Sequence, residues 1–193
     1  MRVIGVTGQN GTGKDEVLKY ISARYGVPFL ATGDVVREIA AQEGVEPTRS
    51  NLQKISERYF QQYGQGYFVR LVAEKIKEKA WGVAGISGIR SFDDVQVLKT
   101  IFGKDFVLIH VFITDPHIRY ERMSKRGEER DPHSYDEFLR NDAAEERIFH
   151  IKKAEQNADY LINNDGTRDD LHRQIDQLVS EKKLLTTERL RSP

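Results

Sequence analysis

The sequence contains no cysteine. That absence removes disulfides, thiolate zinc sites and cysteine nucleophiles in one step. An excess of either charge is also missing: 30 Lys+Arg stand against 30 Asp+Glu, a formal net charge of zero. This excludes a chain-wide basic coat for a long nucleic acid or an anionic membrane. No apolar run approaches the ~20 residues that span a bilayer, and the first residues carry no signal-peptide h-region. The expectation is a cytoplasmic protein without membrane contact. There is no internal repeat and no low-complexity tract. His110, His117, His133, His150 and His172 show no metal-ligand spacing, so they are read as structural or exposed.

What is present is an alternation of short apolar runs with helical patterns, the signature of a parallel α/β sheet. Five runs read as buried strands: Val3–Thr7, Pro28–Ala31, Gly82–Ser87, Phe106–Ile113 and Tyr160–Ile162. The fourth is apolar almost throughout, as a strand covered on both faces should be. Ser91 opens a helix whose Val95, Leu98 and Phe102 share a face. Ser134 and Glu137 fit a capping box, and the last helix, after Thr167, carries Leu171, Ile175 and Leu178 at helical spacing. Residues 45–80 break the rhythm with two successive helical patterns separated by Gly64 and Gly66, which reads as a helical insertion. Their aromatic residues Tyr59, Phe60, Tyr63, Tyr67 and Phe68 are read mainly as core, with one able to stack on a base. Residues 126–134 are polar and turn-rich, a short flap. The 193 residues suffice for one domain over 1–182, with a frayed tail over 183–193.

The strongest signal follows the first strand. Gly8, Gln9, Asn10, Gly11, Thr12, Gly13 and Lys14 match G-x-x-x-x-G-K, and a helix with Val17, Leu18 and Ile21 comes next. The glycines let successive N–H groups curl inward, and the helix N-terminus adds positive potential for phosphate oxygens. Lys14 would reach the β- and γ-phosphates of ATP. The position after it usually holds Ser or Thr for Mg²⁺, but here it is Asp15. A carboxylate is a good ligand for a hard cation; it also suits the first turn of a helix for its charge alone.

Residues Thr32, Gly33, Asp34 and Arg37 form a Thr-Gly-Asp-x-x-Arg element after the second strand. This resembles the nucleoside monophosphate kinases. The resemblance implies that Arg37 grips an acceptor phosphate while Thr32, Gly33 and Asp34 shape its pocket. Ser87-Gly-Ile-Arg90-Ser91 is similar to the Asp-Gly-Ile-Arg-Ser element of an archaeal adenylate kinase-related, dephospho-CoA kinase-like family. That likeness implies a second acceptor-phosphate ligand in Arg90. The family's aspartate is Ser87 here, and Asp15 is a counterpart for the missing carboxylate. Phage-type deoxynucleotide kinases and animal-type phosphomevalonate kinases also have Gly-Lys-Asp in this loop. Arg119, Arg122 and Arg126 share one helix face, with Arg130 beyond them. Their spacing, and Asp131, Asp142 and Glu146 after it, resemble the lid of the same family; Arg122 and Arg126 would close over the transition state. The same face could also be solvated, its arginines paired with Glu121, Glu128 and Glu129. The stretch from Ala158 to Asn164 resembles the dephospho-CoA kinase segment that borders the adenine, which implies base contact at Asn164.

Taken together, the resemblance implies a three-layer P-loop NTPase fold. Its five-stranded parallel sheet would have the order 2-3-1-4-5, a helical acceptor-binding insertion at about 45–80 and a short lid at about 119–136. The implied cofactor is Mg²⁺ with ATP, and the partner a small phosphorylated acceptor, foremost a nucleoside or deoxynucleoside monophosphate. No guanine-reading Asn/Thr-Lys-x-Asp element is evident, which favours ATP over GTP. Dephospho-CoA is a rival acceptor, and Asp34 the one obvious base for its hydroxyl. An NTP-binding switch with little phosphotransfer is the reading of another class, kept open by Ser87.

Overall fold

A computed structural model describes residues 1–128 and 131–185. Its five strands are β1 (Arg2–Thr7), β2 (Phe29–Ala31), β3 (Val83–Ile89), β4 (Phe106–Phe112) and β5 (Tyr160–Asn163). They pair in parallel in the order β2-β3-β1-β4-β5, as the resemblance implies. The helices are α1 (Lys14–Tyr25), α2 (Thr32–Gln42), α3 (Arg49–Tyr63), α4 (Tyr67–Glu78), α5 (Phe92–Phe102), α6 (Pro116–Arg126), α7 (Tyr135–Phe149), α8 (Ile151–Glu155) and α9 (Arg168–Glu181).

Strand alternation divides the core into two layers. Val3 and Leu108 join Val36, Val72 and Leu98 on the α2, α4 and α5 side. Ile4, Val6 and Ile109 join Val17 and Ile175 on the α1 and α9 side. Each such side chain taken out of water stabilises the fold by about 1.5–3 kcal/mol before entropy is counted. The two helices of the insertion are α3 and α4. Tyr63 stacks on Tyr67 at 4.6 Å and Tyr59 lies 5.9 Å from Phe68, so the aromatic cluster staples one to the other. Phe68 is buried, whereas Tyr63 is exposed.

One local expectation is corrected. Ser134 caps α7 by accepting from the Glu137 N–H at 3.2 Å, but the Glu137 carboxylate reaches His133 N rather than Ser134 N, so the capping box is half formed. Of the tail over 183–193, residues 186–193 lie outside the described residues; Leu184 is buried, and its N–H donates to the Val179 carbonyl at 3.2 Å.

One irregularity positions the site. Gly5 pairs with Ile86 but Thr7 with Ile89, so β3 carries one extra residue around Ser87–Gly88. Such bulges re-aim a side chain. Gly88 has φ +85°, and a Cβ there would stand 2.2 Å from Thr32 Oγ1. That close approach lets Thr32 Oγ1 donate to the Gly88 carbonyl at 3.1 Å, joining the ends of β2 and β3.

Candidate functional site

The loop from Gly8 to Lys14 joins the carboxyl end of β1 to the uncapped N-terminus of α1. Several of its carbonyls accept from donors of the protein. Gln9 O accepts from Thr12 Oγ1 at 2.9 Å and from Lys14 Nζ at 3.4 Å. Asn10 O accepts from Arg119 Nη1 at 3.0 Å, and Thr12 O from Asn164 Nδ2 at 2.8 Å. Thr12 N also donates to Gln9 O, at 3.4 Å; with these carbonyls held by the protein, the other backbone N–H groups of the loop form the anion nest. Gly13 has φ +88°, and a Cβ there would lie 2.5 Å from Asn164 Nδ2. Only glycine fits that position on both counts.

Lys14 is 9% exposed. Burial pushes its ammonium below the ordinary value of 10.5, opposed first by Asp15; Arg90 and Arg126 reinforce the downward shift and Glu145 opposes it. Three helices, α1, α6 and α7, and the loop after β3 therefore place charges within electrostatic reach of one lysine. A bound phosphate anion would relieve the cost of that buried cation.

Asp15, in the first turn of α1, accepts a 2.5 Å hydrogen bond from Ser87 Oγ at the β3 bulge. Ser87 is buried. Among the described residues no cluster of three or more His, Cys, Asp or Glu forms a metal cage. Mg²⁺ needs no such cage, since it takes one or two carboxylates together with water and substrate phosphates. The oriented Asp15 carboxylate fits that requirement.

Arg90 follows β3, and its Nη1 lies 3.6 Å from Glu145 Oε1 on α7. Its guanidinium stands over the Phe149 ring, 5.4 Å from the centroid. The loop is fixed by Asp94, whose buried carboxylate accepts from Arg90 N at 3.0 Å and Ser91 N at 2.9 Å. Ser91 returns the bond by accepting from Asp94 N at 3.1 Å, which completes a capping box on α5. Burial pushes the Asp94 carboxyl above its ordinary 3.8, against those N–H donors.

The lid arginines diverge. Arg126 pairs with Asp131, which also accepts from Glu128 N at 3.0 Å and shapes the turn after α6. Arg122 donates to Asn164 O at 2.8 Å and Gly166 O at 2.9 Å, so it clamps the β5–α9 turn. Arg119 is buried and paired with Asp142. Arg130 lies outside the described residues.

The structure thus gathers Lys14, Asp15, Arg90 and Arg126. Arg37 stands apart on α2, half exposed and paired with Asp34, with its guanidinium about van der Waals distance from where a Gly33 side chain would begin. The Asn164 carboxamide, expected beside a base, is buried behind the phosphate loop and spent on Thr12 O. Glu145 was not singled out from the sequence. The signal was there: it lies three residues after Asp142, on the same face of α7.

A profile of the AAA domain family matches residues 7–139. The UPF0200 protein of Thermococcus onnurineus is 37% identical over 181 residues, covering 93% of this chain and 97% of that protein. The UPF0200 protein of Pyrococcus horikoshii is 33% identical over 181 residues, with 93% and 96% coverage. Among solved structures, the shikimate kinase of Bacteroides thetaiotaomicron superposes with a TM-score of 0.57 at 16% identity, covering 94% of this chain and 98% of that one. A gluconokinase from Sinorhizobium meliloti gives 0.58 at 14% identity, with 94% and 95% coverage. No described helix is long and apolar enough to cross a membrane. With the strand order, the phosphate loop and these relatives in view, the chain has the P-loop kinase fold and belongs to the UPF0200 family.

Proposed function

We propose that the protein transfers the γ-phosphoryl group of ATP to a small phosphorylated acceptor, foremost a nucleoside or deoxynucleoside monophosphate. The observation that carries this reading is the convergence of Arg90, Arg126 and Asp15 on Lys14. The loop N–H groups and Lys14 hold the donor phosphates. Arg90 holds the acceptor phosphate with paired donors suited to two oxygens. Arg126 aims its charge at the phosphoryl group in flight, where negative charge is spread over three oxygens. An acceptor phosphate oxygen attacks the γ-phosphorus as the bond to the β-bridging oxygen breaks. That oxygen is already ionised at neutral pH, so no protein base is required.

Arg37 is the second acceptor ligand, released from Asp34 when the acceptor arrives. Arg122 serves from behind by holding the β5–α9 turn in place. Asp15 is the residue that would hold Mg²⁺, which when bound to ATP neutralises developing phosphate charge. The shikimate kinase and gluconokinase neighbours support a small-molecule acceptor in this fold. For a hydroxyl acceptor such as dephospho-CoA, the Asp34 carboxylate would have to leave its pairing with Arg37 to serve as base.

The test is incubation with ATP, Mg²⁺ and a panel of nucleoside and deoxynucleoside monophosphates, dephospho-CoA and phosphomevalonate. Turnover on a monophosphate is expected. Slow hydrolysis alone, with transfer to none of them, contradicts the reading and favours the switch. Transfer to dephospho-CoA alone moves the acceptor to a hydroxyl.

A further inference from the structure

Arg119 belongs by spacing to the arginine face of α6, yet it is 3% exposed and shares no hydrogen-bond partner with Arg122 or Arg126 among the described residues. Its Nη1 donates to Asn10 O at 3.0 Å and to Asp142 Oδ1 at 3.0 Å, and its Nη2 binds the other Asp142 oxygen. The guanidinium carbon lies over the buried Phe138 ring, 4.8 Å from the centroid. Its Nε is buried with no hydrogen-bond partner among the described residues, so the two Nη atoms carry all of its bonding. The loop is pressed against the same helix: a Cβ at Gly11 would meet Arg119 O at 3.0 Å.

An anion nest works only while its carbonyls point away from the ligand. Thr12 and Lys14, both inside the loop, hold the Gln9 carbonyl. The Asn10 carbonyl, next along the loop, is held from outside it, by α6. We propose that Arg119 is a positioning residue for donor-phosphate binding: it fixes the Asn10 carbonyl outward and anchors that bond through Asp142 on α7. It touches neither substrate. The inference rests on the loop being the donor-phosphate site, not on which acceptor is used.

A buried ion pair can be replaced by apolar side chains of similar volume with little loss of stability. The double variant Arg119→Met/Asp142→Leu therefore removes the clamp while sparing the fold, and calorimetric titration with ATP and with tripolyphosphate reads the consequence. The expected result is an unchanged melting temperature with both ligands weakened about tenfold, the loss of one charge-assisted hydrogen bond. Affinities within about twofold of wild type in the folded variant overturn the proposal. Should the double variant fail to fold, Arg119→Lys decides on the same readout. A lysine keeps the charge beside Asp142 but lacks the fork that also reaches Asn10. Wild-type protein that binds neither ligand overturns the donor-site reading and this one together. Binding without turnover on any acceptor counts against the phosphotransferase alone and leaves Arg119 to be judged by its variants.

Discussion

The Ser87 hydroxyl donates a 2.5 Å hydrogen bond to Asp15 Oδ1, joining the end of β3 to the first turn of α1. These are the two positions at which the chain departs from the motifs it resembles: an aspartate where the loop usually ends in Ser or Thr, and a serine where the Asp-Gly-Ile-Arg-Ser element begins with aspartate. In contact, the two form a hydroxyl–carboxylate pair with the residue types exchanged. Ile86 packs on the α2, α4 and α5 side, so strand alternation turns Ser87 to the α1 side, where Asp15 lies.

If the carboxylate supports the cation from its new side, Asp15→Ala should raise the Mg²⁺ needed for half-maximal turnover by about tenfold or more. Ser87→Ala removes only the orienting hydroxyl and should have the smaller effect. Turnover measured against Mg²⁺ concentration separates them. An equal or reversed order refutes the exchange.

Lys14 gives a prediction of opposite sign for stability and activity. The folded lysine titrates below 10.5, chiefly because it is buried. Between its folded value and 10.5 the unfolded chain holds a proton that the native state has released, so stability rises with pH across that interval. Below the folded value the full cost of the buried charge is present. Lys14→Met should therefore abolish turnover yet raise the melting temperature of the ligand-free protein in that range, by about 2–4 °C for each kcal/mol relieved. A lower melting temperature shows that the ammonium's contacts outweigh its burial.

Asp94 supports Arg90 through two backbone N–H groups. Asp94→Ala leaves both donors unpaired and should cost about 2 kcal/mol of stability. It should also raise the KM for the acceptor more than that for ATP. Asp94→Asn keeps an acceptor oxygen and should restore much of both. Equal changes in the two KM values mean that Asp94 supports the fold without favouring the acceptor side.

Gly13→Ala asks for a left-handed backbone with a Cβ at φ +88°, and for space 2.5 Å from Asn164 Nδ2. The strain alone costs about 1–2 kcal/mol. ATP affinity should fall with little change in acceptor KM. A fully active Gly13→Ala protein would mean that the loop tolerates a different geometry.

Much of the fold could be read from the residues, because strands buried on both faces leave apolar runs such as Phe106–Phe112 that helices of this length do not. The strand order was not in the pattern; it came with the family likeness. Lys14 and Asp15 were placed by the loop motif, and Arg90 and Arg126 by the family likeness. The fates of Arg119 and Arg122 were not legible. The three arginines share one face of α6, but Arg119 and Arg126 are separated by about 10 Å along its axis. One therefore meets the phosphate loop, the next the β5–α9 turn and the last the flap. Helical spacing reports the shared face; what lies opposite each turn depends on tertiary packing. Asn164 illustrates the same limit, since its residue type suits a base contact as well as the carbonyl it holds.

The most direct measurement follows the label from γ-phosphate-labelled ATP, with Mg²⁺ and a mixture of nucleoside monophosphates. The account predicts label in a nucleoside diphosphate, formed by wild-type protein and not by Lys14→Ala. Label found only in inorganic phosphate would contradict it.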